Sequence, residues 1–96
     1  MNFEWDENKN LINQRKHGVS FEEVRSVFED TCAILFDDPD HSEDEERFLI
    51  IGMTAAKGIC IVSHCYRGAD EIIRIISARK ATKSERSVYD KQFKEV

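Results

Sequence analysis

Basic side chains crowd into the last third of the chain. Six of them could meet a polyanion: Arg67, Arg74, Arg79, Lys80, Lys83 and Arg86. A guanidinium offers its N–H donors in a planar fork, which suits phosphate oxygens and the charge that builds on them in phosphoryl transfer. We therefore consider this region a candidate for binding a phosphodiester.

Arg74 is the unusual member of this group, because it interrupts the apolar run 72–76. An unpaired guanidinium is very costly to bury, so Arg74 must reach water or a partner. It can face a phosphate-binding cleft, an exposed strand surface or an acidic residue, and the pattern leaves all three open. Arg79 and Lys80 lie between the last predicted strand and the last helix, where they form either the rim of a site or a solvated turn.

Histidine can move protons near neutral pH, so each histidine is a candidate acid or base. His17 follows Lys16 at the end of the first predicted helix, where both residues also complement the helix dipole. His64 lies near the end of a predicted strand and either faces a cleft or packs passively. His41 lies in an acidic loop and is expected to be solvated.

The three cysteines do not predict a disulfide framework or a metal site. An odd number without framework spacing argues against a secreted scaffold, and Cys32 and Cys60 lie in apolar stretches. Cys60 and Cys65 point to opposite faces of one strand, whereas Cys60 and His64 share a face but supply only two ligands. The sequence also contains no glycine-rich phosphate loop and no nucleophile elbow, so we expect no metal and no cofactor.

Two helices are predicted at the start of the chain, within residues 7–30. Asp6 is a good cap for a helix over residues 7–17, and Gly18 ends it because glycine readily adopts the left-handed conformation. Ser20 and Glu23 have capping-box spacing and begin the second helix.

Four strands and a last helix follow. The strands are predicted from short apolar runs bounded by turn residues, over 32–36, 47–54, 59–66 and 72–77. Short turns between the last three predict an antiparallel meander. Thr82 and Glu85 begin the last helix, in which Tyr89 and Phe93 share a face that can pack on the sheet. The fold class is therefore α+β, with residues 1–96 as a single domain.

The net charge of −5 is unevenly distributed. Residues 1–56 hold 5 Lys or Arg and 14 Asp or Glu, whereas residues 57–96 hold 9 and 5. Seven of these acidic residues lie within 37–46, a segment that contains the only proline and is predicted to be a solvated loop. The second half can therefore present a basic face to a polyanion although the whole molecule is acidic.

Composition favours a soluble cytoplasmic protein. Hydrophobic residues make up 41% and charged residues 34% of the chain. No apolar run approaches the roughly 18 residues that a membrane span needs. The first residues have neither the basic start nor the apolar core of a secretory signal.

Several separated motifs, in order along the chain, resemble the BrnT family of bacterial toxins. At the start these are residues 3–9, Asn13, residues 16–23 and residues 27–30; later they are residues 46–47 and 51–52, the run 74–82, and Glu85, Arg86 and Tyr89. The resemblance spans nearly the whole chain, and the acidic loop is its least similar part.

This resemblance implies a RelE-like fold, with two N-terminal helices, a four-stranded mainly antiparallel sheet and a C-terminal helix. It implies the toxin of a type II toxin–antitoxin pair: a metal-independent endoribonuclease that inhibits translation and growth. A BrnA-like ribbon-helix-helix antitoxin would neutralise it, and DNA would be bound only through the antitoxin complex.

The resemblance also ranks the candidate site residues. Catalysis would rest first on Arg79 and Arg74, then on His17 and Lys16, then on Arg47 and His64. RNA binding would fall to Arg67, Lys80, Lys83 and Arg86.

Two other functions stay open. A domain of this fold could bind its antitoxin, take part in operon autoregulation and have lost catalysis, and the acidic composition slightly favours that alternative. A DNA-binding regulator is the third possibility, but no helix resembles a recognition helix with base-reading side chains.

Overall fold

The computed structural model of the protein describes residues 1–38, 45–69 and 71–94. These residues form a five-stranded sheet in the order β1-β5-β4-β3-β2. The strands are β1 (Asn2–Glu4), β2 (Ile34–Asp37), β3 (Phe48–Thr54), β4 (Gly58–Arg67) and β5 (Ile72–Lys80); the helices are α1 (Glu7–His17), α2 (Phe21–Val24), the 3₁₀ helix Arg25–Glu29 and α3 (Lys83–Lys94). The predicted α+β class is confirmed.

The sheet contains one strand more than the sequence predicted. Strands β3 to β5 form the expected antiparallel meander, and β2 extends it by antiparallel pairing with β3. The additional strand, β1, pairs in parallel with β5 and brings Glu4 opposite Arg74. Three residues are too few to show a strand periodicity, so the prediction of four strands was wrong for a pairing that only the tertiary fold creates.

The capping predictions are confirmed. The Asp6 carboxylate accepts from the N–H groups of Asn8 and Lys9, and Gly18 ends α1 with a φ of 68°. Ser20 and Glu23 form a complete capping box. The second helix is shorter than predicted, because after one α-helical turn the chain tightens into the 3₁₀ helix.

The 3₁₀ helix lies directly on β3, and Gly52 makes this approach possible. A Cβ atom at Gly52 would lie 2.9 Å from Val27 Cγ1 and 3.1 Å from the Ala33 Cβ. These distances are shorter than ordinary van der Waals contact, so any larger residue would push the two elements apart.

Two hydrophobic clusters lie on opposite faces of the sheet. The larger cluster packs α2 and the 3₁₀ helix on the face that includes Ile50, Val62 and Ile75. We call this the helical face. The smaller cluster joins Ile51 to Tyr89 of α3 on the other face, which we call the open face because α3 covers only part of it. Phe93 was expected to pack on the sheet, but it stays 60% exposed and stacks on Tyr89 instead.

Strand ends differ from prediction by up to three residues. Strand β2 begins at Ile34, since the Asp30 side chain and carbonyl hold Cys32 and Ala33 in a turn. Strand β5 continues to Lys80. Asp37, which was predicted to lie in the acidic loop, belongs to β2. Most of the other residues of the predicted loop, 39–44 with His41 among them, lie outside the described residues. Among the residues described, no helix is long and apolar enough to cross a membrane.

Candidate active site

An irregularity in β5 places Arg74 and Arg79 on the same face of the sheet. Arg79 pairs with Ile61 and Arg74 with Cys65, and these two partners are four residues apart on β4. The register shifts between Ser63 and His64, so β5 holds one more residue than β4 over this stretch. Without this bulge, two arginines five positions apart would point to opposite faces.

Helix α1 is fixed beside β5 by a buried asparagine. Asn13 Oδ1 accepts from the Ala78 N–H at 3.0 Å, and Asn13 Nδ2 donates to the Val19 carbonyl at 2.8 Å. Strand β1 pairs only as far as Arg74. The Asn13 side chain therefore occupies the edge of β5 beyond Arg74. The contact places the end of α1, including His17, next to the open face.

A cleft of about 270 Å³ lies where α1 meets the open face. It is lined by His17, Leu49, Ile61, Ser63, Ser77, Ala78 and Arg79. Thus the cleft combines a guanidinium, an imidazole and two hydroxyls with aliphatic side chains. His17 is exposed at its edge.

Arg79 is oriented by Glu85 of α3. Arg79 Nη1 donates to Glu85 Oε1 at 2.7 Å, and Nη2 donates to Oε2 at 2.9 Å. Glu85 also accepts from the Thr82 N–H at 2.8 Å, so one carboxylate both caps α3 and holds the arginine. The hydrogen bonds from Arg79 are the main reason that the pKa of Glu85 falls to about 2, and they raise the pKa of Arg79 in return.

Arg74 is held by an ion pair at the far end of the same face. Its Nη1 lies 2.7 Å from Glu4 Oε2, and Arg67 Nε lies 3.5 Å from the same oxygen. The sequence left three possibilities open for Arg74, and the structure shows the pairing with an acidic residue, which is Glu4. Arg67 also lies 3.5 Å from Glu45, so these arginines belong to a partly exposed network of charges.

Comparison with known proteins assigns this arrangement to a family. A family model described as the ribonuclease toxin, BrnT, of type II toxin–antitoxin systems matches residues 5–85. This chain belongs to the BrnT family.

The structural comparison agrees with this assignment. The crystal structure of the Brucella abortus ribonuclease toxin, BrnT, matches with a TM-score of 0.69 and 31% sequence identity, over 86% of this chain and 99% of that one. A search of curated proteins found no match. The resemblance to BrnT toxins predicted from the sequence motifs is thereby confirmed, and the family implies an antitoxin partner.

Two other predicted site residues of this BrnT family member lie nearby. Arg47 immediately precedes β3, and its carbonyl accepts from the Asp38 N–H, so the pairing of β2 and β3 continues through it. Strand alternation puts Arg47 on the same face as Leu49, the open face. Its Nε is buried and has no hydrogen-bond partner among the residues described. Lys16 is exposed in the last turn of α1, one residue before His17.

His64 does not reach the cleft. It is fully buried on the helical face, where its ring packs edge-on against Phe28 at 4.8 Å between centroids. Nδ1 donates to the Val62 carbonyl, which leaves Nε2 to accept from the Tyr66 hydroxyl at 3.3 Å. Burial lowers the pKa of His64, so the ring is neutral at physiological pH. The suggestion that His64 faces a cleft is therefore wrong, and it does not share a face with Arg74.

The basic residues proposed for RNA binding are scattered. Lys80 pairs with Cys60 and points to the helical face, so it does not form a rim with Arg79. Lys83 and Arg86 are exposed on α3, where Arg86 also donates to the Ala81 carbonyl. Of the ten nominated residues, only Arg79 and His17 line the cleft.

The other polar residues of the cleft are not among the site residues predicted from the sequence. Ser63 and Ser77 are predicted only as strand residues, although a polar residue within an apolar strand is a signal for such a position. Glu85 was recognised as a cap but not as the partner of Arg79. Within the described part of the chain, no group of three or more His, Cys, Asp or Glu side chains could hold a metal ion.

Proposed function

We propose that this protein is a toxin that cleaves RNA in the cleft between α1 and the open face. The observation that carries the proposal is the orientation of Arg79, fixed by two hydrogen bonds to Glu85, in a cleft that also presents His17. A guanidinium held in advance stabilises developing negative charge without reorganising during the reaction.

Arg79 has N–H groups left for a phosphate. Nη1 donates to Glu85 and to the Lys80 carbonyl, and Nη2 donates once to Glu85. Nε and the second hydrogen of Nη2 form the other side of the planar fork. We assign this side to the oxygens of the scissile phosphate, because a bidentate contact there suits phosphate geometry.

The reaction would use the RNA's own 2′-hydroxyl. The 2′-oxygen attacks phosphorus, the bond to the 5′-oxygen breaks, and the products are a 2′,3′-cyclic phosphate and a 5′-hydroxyl. One proton leaves the 2′-oxygen and one is added to the 5′-oxygen. His17 is the cleft residue suited to either transfer, with Lys16 beside it. Glu85 cannot donate a proton at neutral pH, because its pKa is about 2.

Arg74 and Arg47 have a supporting role in this proposal. Both lie on the open face beyond the cleft, so they can hold the RNA strand as it leaves the reacting phosphate. Arg74 would exchange part of its contact with Glu4 for a phosphate. Arg67, at the same end of the sheet, would contribute in the same way.

The rest of the biological proposal follows from family membership. We propose cytoplasmic action without a metal ion, inhibition of translation and growth, and neutralisation by a BrnA-like ribbon-helix-helix antitoxin. DNA would be contacted only through the complex with that antitoxin. The alternative is an inactive module that binds its antitoxin, and the acidic composition of the chain slightly favours it.

Cleavage by the purified protein tests this proposal. RNA should be cut in the presence of a chelator, to 2′,3′-cyclic phosphate ends, and Arg79→Ala should reduce the rate by about 100-fold or more because one charge-stabilising contact is lost. Arg15→Ala, which removes an exposed arginine from the same helix as His17, is the matched control and should stay within about twofold of wild type. Intact RNA with the wild type would support the inactive module, and activity lost only with the chelator would contradict the metal-free mechanism.

A further inference from the structure

Two serines face each other on the floor of the cleft. Ser63 of β4 and Ser77 of β5 are direct cross-strand partners, and Leu49 of β3 pairs with Ser63 on its other side. The neighbouring row places Ile61 beside Arg79. The floor is therefore a small polar strip between aliphatic side chains, next to the guanidinium that we assign to the phosphate.

Neither serine hydroxyl is engaged in holding the fold together. Ser77 is exposed and Ser63 is partly exposed. In the described part of the chain, neither hydroxyl has a hydrogen-bond partner, whereas the hydroxyls of Ser20, Ser26 and Ser87 all form hydrogen bonds. Serine is also a less favourable strand residue than the valine and isoleucine around it. These two hydroxyls are thus available to a ligand.

The shape and chemistry of the cleft suit one unstacked nucleobase. Single-stranded RNA is recognised through bases that turn out of the stack and form hydrogen bonds along their polar edges. The cleft, at about 270 Å³, is smaller than the pockets of roughly 300–1,000 Å³ that take drug-sized ligands. Leu49 and Ile61 can contact the face of a base, and a serine hydroxyl can donate or accept at its edge.

We propose that Ser63 and Ser77 form a nucleobase subsite that selects the base beside the scissile phosphate. The inference rests on the proposed function, since it takes Arg79 as the phosphate ligand. Because a hydroxyl rotates to suit its partner, the selection is modest, of the size that one lost hydrogen bond causes. We expect about a three- to tenfold preference for one base.

Binding of uncleavable RNA tests the subsite separately from catalysis. The probes are five fluorescent tetranucleotides with 2′-O-methyl groups throughout: four with a single type of base and one without bases. Dissociation constants are measured by fluorescence anisotropy for wild type, the double variant Ser63→Ala with Ser77→Ala, Arg79→Ala, and Ser84→Ala as an exposed serine control on α3.

The expected pattern separates base contacts from phosphate contacts. Wild type binds the probe with one type of base about three- to tenfold more tightly than the others. In the double alanine variant, the dissociation constants of the four probes with bases differ by less than about twofold. The baseless probe binds equally to both. Arg79→Ala weakens all five probes, and Ser84→Ala changes none. Ser77→Thr, which keeps a hydroxyl on a residue that favours strands, retains the preference.

Three outcomes overturn the subsite. The first is a wild type that binds all four bases alike, or binds no probe. The second is a base preference that survives in the double alanine variant. The third is a double alanine variant that loses as much affinity for the baseless probe as for the probes with bases. That result would place the hydroxyls against the sugar or phosphate. Cleavage of unmodified RNA is measured in parallel, so a wild type that selects a base but cuts nothing contradicts the proposed function and leaves the subsite standing.

Discussion

Glu85 connects the stability of this protein to the geometry of its site. The same carboxylate accepts the Thr82 N–H at the start of α3 and both ends of the Arg79 fork. Its folded-state pKa of about 2 lies below the ordinary value of 4.5, so folding favours the ionised form. The ionised Glu85 therefore adds to the free energy of unfolding. This stabilisation is fully present at pH values above the ordinary pKa and is lost as the pH falls towards 2.

Replacing Glu85 should therefore lower the free energy of unfolding by an amount that depends on pH. Glu85→Gln is expected to lower the free energy of unfolding by about 1–2 kcal/mol at pH 7, less than the full pKa difference implies because the pair is partly exposed. Urea unfolding from pH 7 down to pH 3 should show the difference from wild type shrinking. Glu71→Gln, an exposed carboxylate without a partner among the described contacts, is the control. A difference that stays constant with pH would refute this assignment of the pKa.

At the scale of elements, close approach and irregular pairing build the site. Gly52 lets the 3₁₀ helix rest on β3, and Asn13 joins α1 to the edge of β5. Asp30 ties the same region to α3, since it accepts from the Met53 N–H and the Tyr89 hydroxyl. Burial raises the pKa of Asp30, but hydrogen bonds from Tyr89, Met53 and Cys32 outweigh it and leave the pKa lowered.

A methyl group at Gly52 tests the close approach. Gly52→Ala should lower the free energy of unfolding by about 1–3 kcal/mol, because the new Cβ would meet Val27 Cγ1 at 2.9 Å. The double variant Gly52→Ala with Val27→Ala should lose less free energy of unfolding than the two single variants lose in sum, since the smaller side chain at position 27 removes the clash. Denaturant unfolding of all four proteins measures the coupling. Strict additivity would show that the two side chains do not interact.

At the scale of the whole molecule, an acidic protein carries Arg74 and Arg79 on its open face, each paired with a carboxylate. The net charge is −5, yet Arg74 and Arg79 share one face of the sheet. We therefore expect long-range attraction to RNA to be weak, and the proposed binding to come from a few close phosphate contacts. The acidic first half of the sequence supplies Glu4, which pairs with Arg74 across strands that are adjacent only in the fold.

The salt dependence of RNA binding should count these contacts. For two or three phosphate contacts, the logarithm of the binding constant should fall with the logarithm of salt concentration with a slope of about −1.4 to −2.1. Arg79→Ala should make the slope less steep by about 0.7, whereas Arg15→Ala should not change it. Anisotropy titrations of a 2′-O-methyl RNA octamer measure both. A slope near zero would contradict phosphate binding by the open face.

Local signals in the sequence predicted much of the architecture. Caps at Asp6, Ser20 and Thr82 and the stop at Gly18 depend on neighbouring residues alone, and all appear in the structure. The meander follows from short turns between apolar runs for the same reason. The spaced motifs identify the BrnT family, and the sequence predicts Arg79 and His17 as site residues.

The tertiary structure decided which of the nominated residues meet. A strand reverses the direction of its side chains at each residue, so the extra residue of β5 beside Ser63 determines that Arg74 joins Arg79. His64 faces the core because it lies on the same face of β4 as Val62, which packs against the helices. The parallel pairing of β1 and the contact between Asn13 and Ala78 join residues about 65 to 70 positions apart, which no local pattern encodes. Residue types and caps are local properties of the chain, whereas faces and partners depend on long-range pairing.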